Sequence, residues 1–242
     1  MENNTQKNNS QVNRGQLYFD GHCSIELKHT EFYKKIISKL EILNNMNLKD
    51  NQDFHSNYEN TFDLKSDSNL NDYFIEFLFD QDIPNKINKI TGREYVLGDL
   101  VLRKSKQIKS YMPWHRDTYL DKNNILVGRI PPLLKIIFYP KLEEFSYHEL
   151  SILSGSTKRV VKNYYLDKLQ RFFFKEKKVY QSNDMCILFD SSIVHSAIPS
   201  SPESKGSFRL IYNFCDASQL ESFSKVANIN ESYNSKKVLY SS

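Results

Sequence analysis

The chain has 242 residues, 39% of them hydrophobic and 13% aromatic, enough for one substantial core or two small ones. Lysine and arginine exceed the acids by only four, with a pI near 8.7, so the charge requires neither a nucleic-acid nor a membrane partner and is compatible with anionic ligands. Three cysteines, Cys23, Cys186 and Cys215, lack Cys-x-x-Cys spacing, which argues against a disulfide framework or zinc knuckle and for a reducing compartment.

Residues 1–14 are polar throughout, without the apolar segment of a signal peptide, and are expected to form a disordered tail. No later run reaches the ~18 apolar residues of a membrane helix, so the expectation is a soluble, cytoplasmic protein. From Glu31 to Leu43, Phe32, Ile36, Leu40 and Leu43 recur at three- and four-residue steps, predicting an amphipathic helix that Thr30 can cap. The Asn-, Asp- and Ser-rich stretch 44–72 predicts loops. Over Leu70–Phe79 a second helix is expected, with a strand as the alternative that its aromatic density allows, and over Ile87–Thr91 a helical turn stopped by Gly92. Beyond Tyr95 the pattern changes to short strands at 94–103, 133–139, 147–153, 185–189 and 208–214, with a Ser154-Gly155-Ser156 turn after the third. Short strands without long intervening helices predict a mainly β fold with flanking helices, a double-sheet jelly roll with the helices of 31–91 on one outer face. One domain over 15–227 is expected, with a flexible C-terminal tail over 228–242.

The stretch 160–178 interleaves bases with aromatics and sets Val161, Tyr165, Leu169 and Phe172 on one helical face. A helix with an apolar underside and solvated top is expected there, covering the barrel mouth, in preference to a nucleic-acid stripe.

Chemistry concentrates at Trp114-His115-Arg116-Asp117-Thr118. Side chains two apart lie on one side of an extended backbone, so His115 and Asp117 can point at one ion. His195, after the apolar run 185–189, is the candidate third ligand. Two histidines and one carboxylate with open positions opposite are the ligand set of non-heme Fe(II) oxygenases. Arg209 interrupts a strand apolar on both faces, Phe208 to Phe214, where a buried guanidinium needs an anion. Lys135 interrupts another such strand, and either faces outward or meets an anionic ligand. Arg103, Thr118 and Tyr119 are candidates for the same pocket.

The ordered set His-x-Asp, then His, then Arg resembles the Fe(II)/2-oxoglutarate-dependent dioxygenases, and within them the phytanoyl-CoA dioxygenase-like family. Trp114 to Thr118 resembles that family's Trp-His-x-Asp segment. Leu153 to Lys158 resembles its Pro-Gly-Ser-His turn, and Asn183 to Asp190 its Gly-Asp-led strand before the distal histidine. The likeness spans roughly residues 95–216. It implies a double-stranded β-helix, cupin-like in form, with Fe(II) held by His115, Asp117 and His195, and with 2-oxoglutarate and O2 as cosubstrates. It also implies Arg209 as the anchor of the cosubstrate's distal carboxylate, with Lys135, Arg103 and Thr118 bordering it. Hydroxylation of a small-molecule substrate, releasing succinate and carbon dioxide, would follow. The family often has a serine two residues after the distal histidine; Ala197 stands here, with Ser207 or Tyr212 as candidate substitutes. Arg116, Arg129, Lys158 and Arg159 suggest an anionic substrate. His22, His29, His55 and His148 are read as surface or locally hydrogen-bonded residues. A cupin-like protein without oxygenase activity is the main alternative, and a nucleic-acid-binding module a third.

Overall fold

The computed structural model describes residues 2–45, 59–64, 68–105, 112–118, 131–140, 148–161, 163–179, 185–199, 208–223 and 230–241. Helix α1 (Glu2–Asp20) leads into strand β1 (His22–Glu26), then helix α2 (Glu31–Asn45) and strand β2 (Glu59–Asp63). Helices α3 (Ser68–Asp80) and α4 (Ile83–Thr91) follow, and strands β3 (Tyr95–Ser105), β4 (Met112–His115), β5 (Leu133–Phe138) and β6 (His148–Leu153) come next. Helix α5 (Tyr164–Gln170) precedes β7 (Glu176–Val179), β8 (Met185–Asp190), β9 (His195–Pro199) and β10 (Phe208–Asp216). The short helix α6 (Leu220–Phe223) and helix α7 (Glu231–Ser241) end the chain.

The strands form two antiparallel sheets, one ordered β1-β8-β5-β10-β3-β2 and the other β4-β9-β6-β7. Alternation divides the larger sheet into two faces. Leu210, Tyr212 and Phe214 of β10, with Ile136 and Phe138 of β5 and Leu188 of β8, pack with Ile36, Leu40, Phe74 and Phe77 of the helices. The residues between them, Ile211, Ile137 and Phe189, turn to the smaller sheet and meet Leu150 and Ile152 of β6. A strand that buries both faces reads as a continuous apolar run, which is why β5, β8 and β10 were visible in the sequence.

The predicted helices form where their apolar period places them. Ile36 and Leu40 are fully buried, and the Thr30 hydroxyl caps α2 by accepting from the Tyr33 N–H at 2.9 Å. The same hydroxyl donates to Asp80 at 2.7 Å, tying the start of α2 to the end of α3. Gly92 ends α4 with φ 72°, its N–H returning to the Asn88 carbonyl.

Three expectations need correction. Helices α1 and α7 stand where tails were expected. The first half of α1 is polar, but Leu17 enters the core. Gly21, at φ 84°, stops the helix so close to Ile193 that a Cβ would lie 2.7 Å from that side chain. In α7 the apolar anchor is Tyr233, fully buried, stacked on Phe79 and edge-on to Phe214, while Ser232 and Lys236 bond to Asp72. Within the stretch expected as loops, β2 pairs with β3 as an edge strand, a role in which pairing replaces apolar patterning. The third correction concerns α5, where Tyr165, Leu166 and Leu169 are exposed in place of the expected underside, and Asp167 is buried.

All three cysteines are buried and free, as their spacing implied. Among the described residues no helix is long and apolar enough to cross a membrane.

Candidate metal centre

Strand β4 pairs with β9 so that His115 lies directly opposite His195, and Met112 opposite Ala197. Three steps on β4 therefore answer two on β9, a bulge that turns His115 toward its partner. The two imidazoles are 4.3 Å apart between ring centres. Asp117 follows in a bend and not in the strand, so the expected period-2 geometry holds only in its outcome. The Thr118 N–H fixes this bend by donating to the Ser191 carbonyl at 3.2 Å. Asp117 Oδ1 lies 3.6 Å from His115 Nε2, and Oδ2 lies 3.6 Å from His195 Nε2. One ligand atom from each of the three residues falls within 4.8 Å of the others, a spacing that one metal ion can bridge.

The protonation states favour such an ion. His195 Nδ1 is 3.1 Å from the Ile193 carbonyl, which can only accept, so Nδ1 carries the proton and Nε2 keeps its lone pair. Burial lowers the His195 pKa, His115 and Lys135 lower it further and Asp117 only partly opposes them, which brings it to about 3. The imidazole is therefore neutral, as a ligand must be, throughout the physiological range. Burial pushes the Asp117 carboxyl up, but Lys135 and the two histidines more than offset it and hold the group well below the usual carboxylate range.

Lys135 faces inward. Its Nζ donates to Asp117 Oδ2 at 2.6 Å, which decides between the two readings of this residue. Burial lowers the Lys135 pKa, Asp117 opposes that, and Arg103 and Arg209 add to the lowering; the strand register sets all three cations on the sheet face of Ile137 and Ile211. Arg209 is opposite Arg103 across β10 and β3, and is buried on a strand flanked by β5 and β3, not on an edge. By alternation it shares the face of Ile211, which looks toward the smaller sheet. Thr118 Oγ1 is buried with no hydrogen-bond partner among the described residues, a polar atom that a bound ligand would satisfy.

Several sequence candidates lie elsewhere. Arg116, considered for an anionic substrate, is buried: it donates to Asp167 through Nε and Nη2 and to the Ser156 carbonyl at 3.0 Å. Lys158 and Arg159 are exposed on the outer surface. Tyr212 donates to the Phe74 carbonyl at 3.0 Å on the helix side, so it cannot replace the missing serine. Ser207, Tyr119 and Arg129 lie outside the described residues. His22 is buried with a hydrogen bond to the Asp20 backbone, the second of the two alternatives expected for it.

The residues that sequence reasoning missed are those behind the ligands. Ser156 Oγ accepts from the Val194 N–H at 2.9 Å, fixing the residue before His195. Asp167 binds Arg116, which lies between the two ligands of the His-x-Asp segment. Asp190 accepts from the Ser192 N–H and hydroxyl in the turn that leads to His195. The Leu-Ser-Gly-Ser turn was the one sequence signal pointing here; Asp167 had none, because its partner is 51 residues away.

Asp190 carries a pH prediction. Burial raises its pKa from 3.8 to about 6, only partly opposed by the Ser192 hydrogen bonds and Arg116. The folded state thus binds the proton more tightly than the unfolded chain, and the resulting stabilisation is complete below pH 3.8 and is lost as pH rises through about 6. Asp190→Asn should flatten the stability profile across that window, removing a decline on the order of 2–3 kcal/mol. Urea unfolding across this pH range checks it; a profile parallel to the wild type would contradict the assignment.

No protein-family model matches the sequence, and neither does any curated protein. Solved structures do match. The non-heme alpha-ketoglutarate-dependent epimerase SnoN from nogalamycin biosynthesis aligns over 87% of this chain and 84% of its own, with TM-score 0.61 and 12% identity. HygX from Streptomyces hygroscopicus, with nickel and 2-oxoglutarate bound, aligns over 85% and 87%, with TM-score 0.59 and 11% identity. A prolyl hydroxylase from Trichoplax adhaerens, in complex with a hypoxia-inducible-factor peptide fragment, aligns over 91% and 95%, with TM-score 0.60 and 13% identity. The chain has their fold. At such identity the likeness speaks for architecture, and the chemistry has to be argued from the side chains.

Proposed function

We propose that this chain is an Fe(II)- and 2-oxoglutarate-dependent dioxygenase of the phytanoyl-CoA dioxygenase-like type, which hydroxylates a C–H bond of a small-molecule substrate. The observation that carries the reading is the convergence of His115, Asp117 and His195 on one point, with Lys135 bonded to Asp117 and Arg103 and Arg209 on the same sheet face as Lys135. In this reading the two sheets close as a double-stranded β-helix around that point. Of the three solved neighbours named above, one is an alpha-ketoglutarate-dependent epimerase, one holds nickel and 2-oxoglutarate, and one is a prolyl hydroxylase.

The two imidazoles and Asp117 would hold the metal, and the donor set fits: two neutral nitrogens and one ionised oxygen suit a divalent iron with open positions. Lys135, bonded to Asp117 Oδ2, restrains the carboxylate and leaves Oδ1 to serve as ligand. Arg209 would take the distal carboxylate of 2-oxoglutarate through its guanidinium fork, with Arg103 opposite it sharing the dianion's charge. Thr118, at the buried end of the ligand bend, is suited to hydrogen-bond the cosubstrate. Iron and 2-oxoglutarate, when bound, supply the dioxygen-dependent oxidation, with succinate and carbon dioxide as products. The protein contributes positions, a dry interior and fixed charges.

The deciding experiment supplies Fe(II), ascorbate and 2-oxoglutarate and measures succinate. Consumption of 2-oxoglutarate supports the reading; metal binding without any consumption, with or without a panel of small molecules, would place the protein with non-oxygenase cupin-like proteins instead. Arg209→Ala should raise the KM for 2-oxoglutarate by about 100-fold, since a buried charge-assisted pair contributes on the order of 2–3 kcal/mol. The kcat should change less. An unchanged KM would remove Arg209 from the site.

A further inference from the structure

Helix α5 and the turn after it expose five large apolar side chains together. Phe172 is 85% exposed, Phe173 82% and Tyr165 80%, with Leu166 and Leu169 more than half exposed. This is not a fraying segment. Asn163 caps the helix by accepting from the Tyr165 and Leu166 N–H groups. Asp167 is locked between Arg116 and Arg171, and Arg171 also donates to the Trp114 carbonyl at 2.6 Å. At the other end Gln170 donates to the Arg159 carbonyl. The fold thus holds an apolar knob rigidly in water, an arrangement folding alone does not explain.

The charge around the knob is one-sided. Residues 158–178 contain eight lysines and arginines and two acids; Arg171 is paired with the buried Asp167 and Lys177 with Asp20, which still leaves the exposed bases in excess of the one exposed acid, Glu176. Lys158, Arg159, Lys168 and Lys175 are exposed beside the apolar side chains. Lys158 also lies over the ring of Phe19, itself 59% exposed, which extends the same surface.

We infer that this knob docks on a membrane surface carrying anionic headgroups, with Phe172, Phe173, Leu166 and Leu169 entering the acyl boundary and the surrounding lysines and arginine meeting the headgroups. Three features favour lipid over a macromolecular partner. Side chains four-fifths exposed stand out from the surface, a convex shape that enters a deformable lipid phase and matches no flat stacking platform. Aliphatic leucines among the aromatics gain from hydrocarbon and gain little from stacking on bases. The encircling cations match an anionic leaflet, to which each contributes about 1 kcal/mol. The chain's small net charge and lack of an apolar span had set the opposite expectation; the fold decides where the charge is collected. Because Arg171 and Arg116 link the knob to the strand bearing His115, docking would bring the candidate metal centre to the membrane surface.

The test is co-sedimentation of the full chain with phosphatidylcholine vesicles, with and without phosphatidylserine. The chain should pellet with phosphatidylserine-containing vesicles, release as salt rises, and stay in solution with phosphatidylcholine alone. Lys168→Gln should weaken binding about fivefold, and Phe172→Ser with Phe173→Ser about tenfold or more. These side chains are exposed, so both variants should fold, which circular dichroism checks. In Phe172→Trp, brominated lipid should quench fluorescence beyond the background of Trp114. No pelleting with anionic vesicles, binding undiminished in the double serine variant, or single-stranded RNA binding in place of vesicle binding would each overturn the inference.

Discussion

Asp117→Ala is expected to abolish Fe(II)-dependent consumption of 2-oxoglutarate and to weaken metal binding by more than ~100-fold, beyond the 10–100-fold that follows loss of a merely supporting group. The variant removes the only carboxylate of the three-residue cluster, leaving two neutral imidazoles to face the ion. It also leaves the Lys135 ammonium in a buried position without the acceptor that Asp117 Oδ2 provides at 2.6 Å. Burial then favours neutral Lys135 more strongly, and stability should fall by a few kcal/mol as a separate effect. Adding Lys135→Met separates the two: the double variant should recover stability without recovering metal affinity. His115→Ala and His195→Ala should lose metal binding to a similar degree. Calorimetric titration with Fe(II) under anaerobic conditions, alongside thermal unfolding, gives both readouts. Undiminished metal affinity in Asp117→Ala would end the assignment.

Asp167→Ala should be the most destabilising substitution outside the apolar core. The Arg116 and Asp167 side chains are both completely buried and 2.9 Å apart. Burial pushes the Asp167 carboxyl up, yet hydrogen bonds from Arg116, Gln170 and Arg171 overcome this and hold it below its ordinary value. Removing the carboxylate strands a guanidinium in the interior, at a cost of about 3–5 kcal/mol. For a domain of this size that lowers Tm by roughly 6–20 °C. Stability alone would show only that the pair is buried, so metal affinity is the sharper measure: Arg116 sits between His115 and Asp117, and loosening it should weaken metal binding about tenfold. Arg116→Met with Asp167→Leu should cost less than the sum of the single changes, because no buried charge is left alone. A loss below 1 kcal/mol in Asp167→Ala would contradict the buried pair.

Much of the larger sheet was legible. Strands β5, β8 and β10 bury both faces, so they had to be apolar runs, and the charges within them stood out, Arg209 as a buried guanidinium needing an anion and Lys135 as either outward-facing or meeting an anionic ligand. Helix α2 was equally plain from its apolar period, whereas of α4 only the last turn, Ile87–Thr91 with its stop at Gly92, was legible. Strand β7 was not legible, since the pattern Glu-Lys-Lys-Val exposes three residues of four and holds its place by pairing with β6. Helix α7 was hidden for a related reason: its fit to the core rests on Tyr233 meeting Phe79 and Phe214, far apart in sequence.

The sequence by itself picked out the three residues of the candidate metal centre as a set, because histidine and aspartate at that spacing, followed by a distant histidine and an arginine inside an apolar strand, have few other uses in combination. It determined the all-antiparallel, two-sheet character through strand length and alternation. Only the tertiary structure decided that His115 and His195 face each other across a bulge, that Lys135 turns inward to Asp117, and that Arg116 serves Asp167 and not a substrate. It alone decided that the apolar side of α5 points to water. The reason is physical: local pattern records which side chains share a face, whereas the choice of what that face meets depends on strand pairing and on buried charges finding partners tens of residues away.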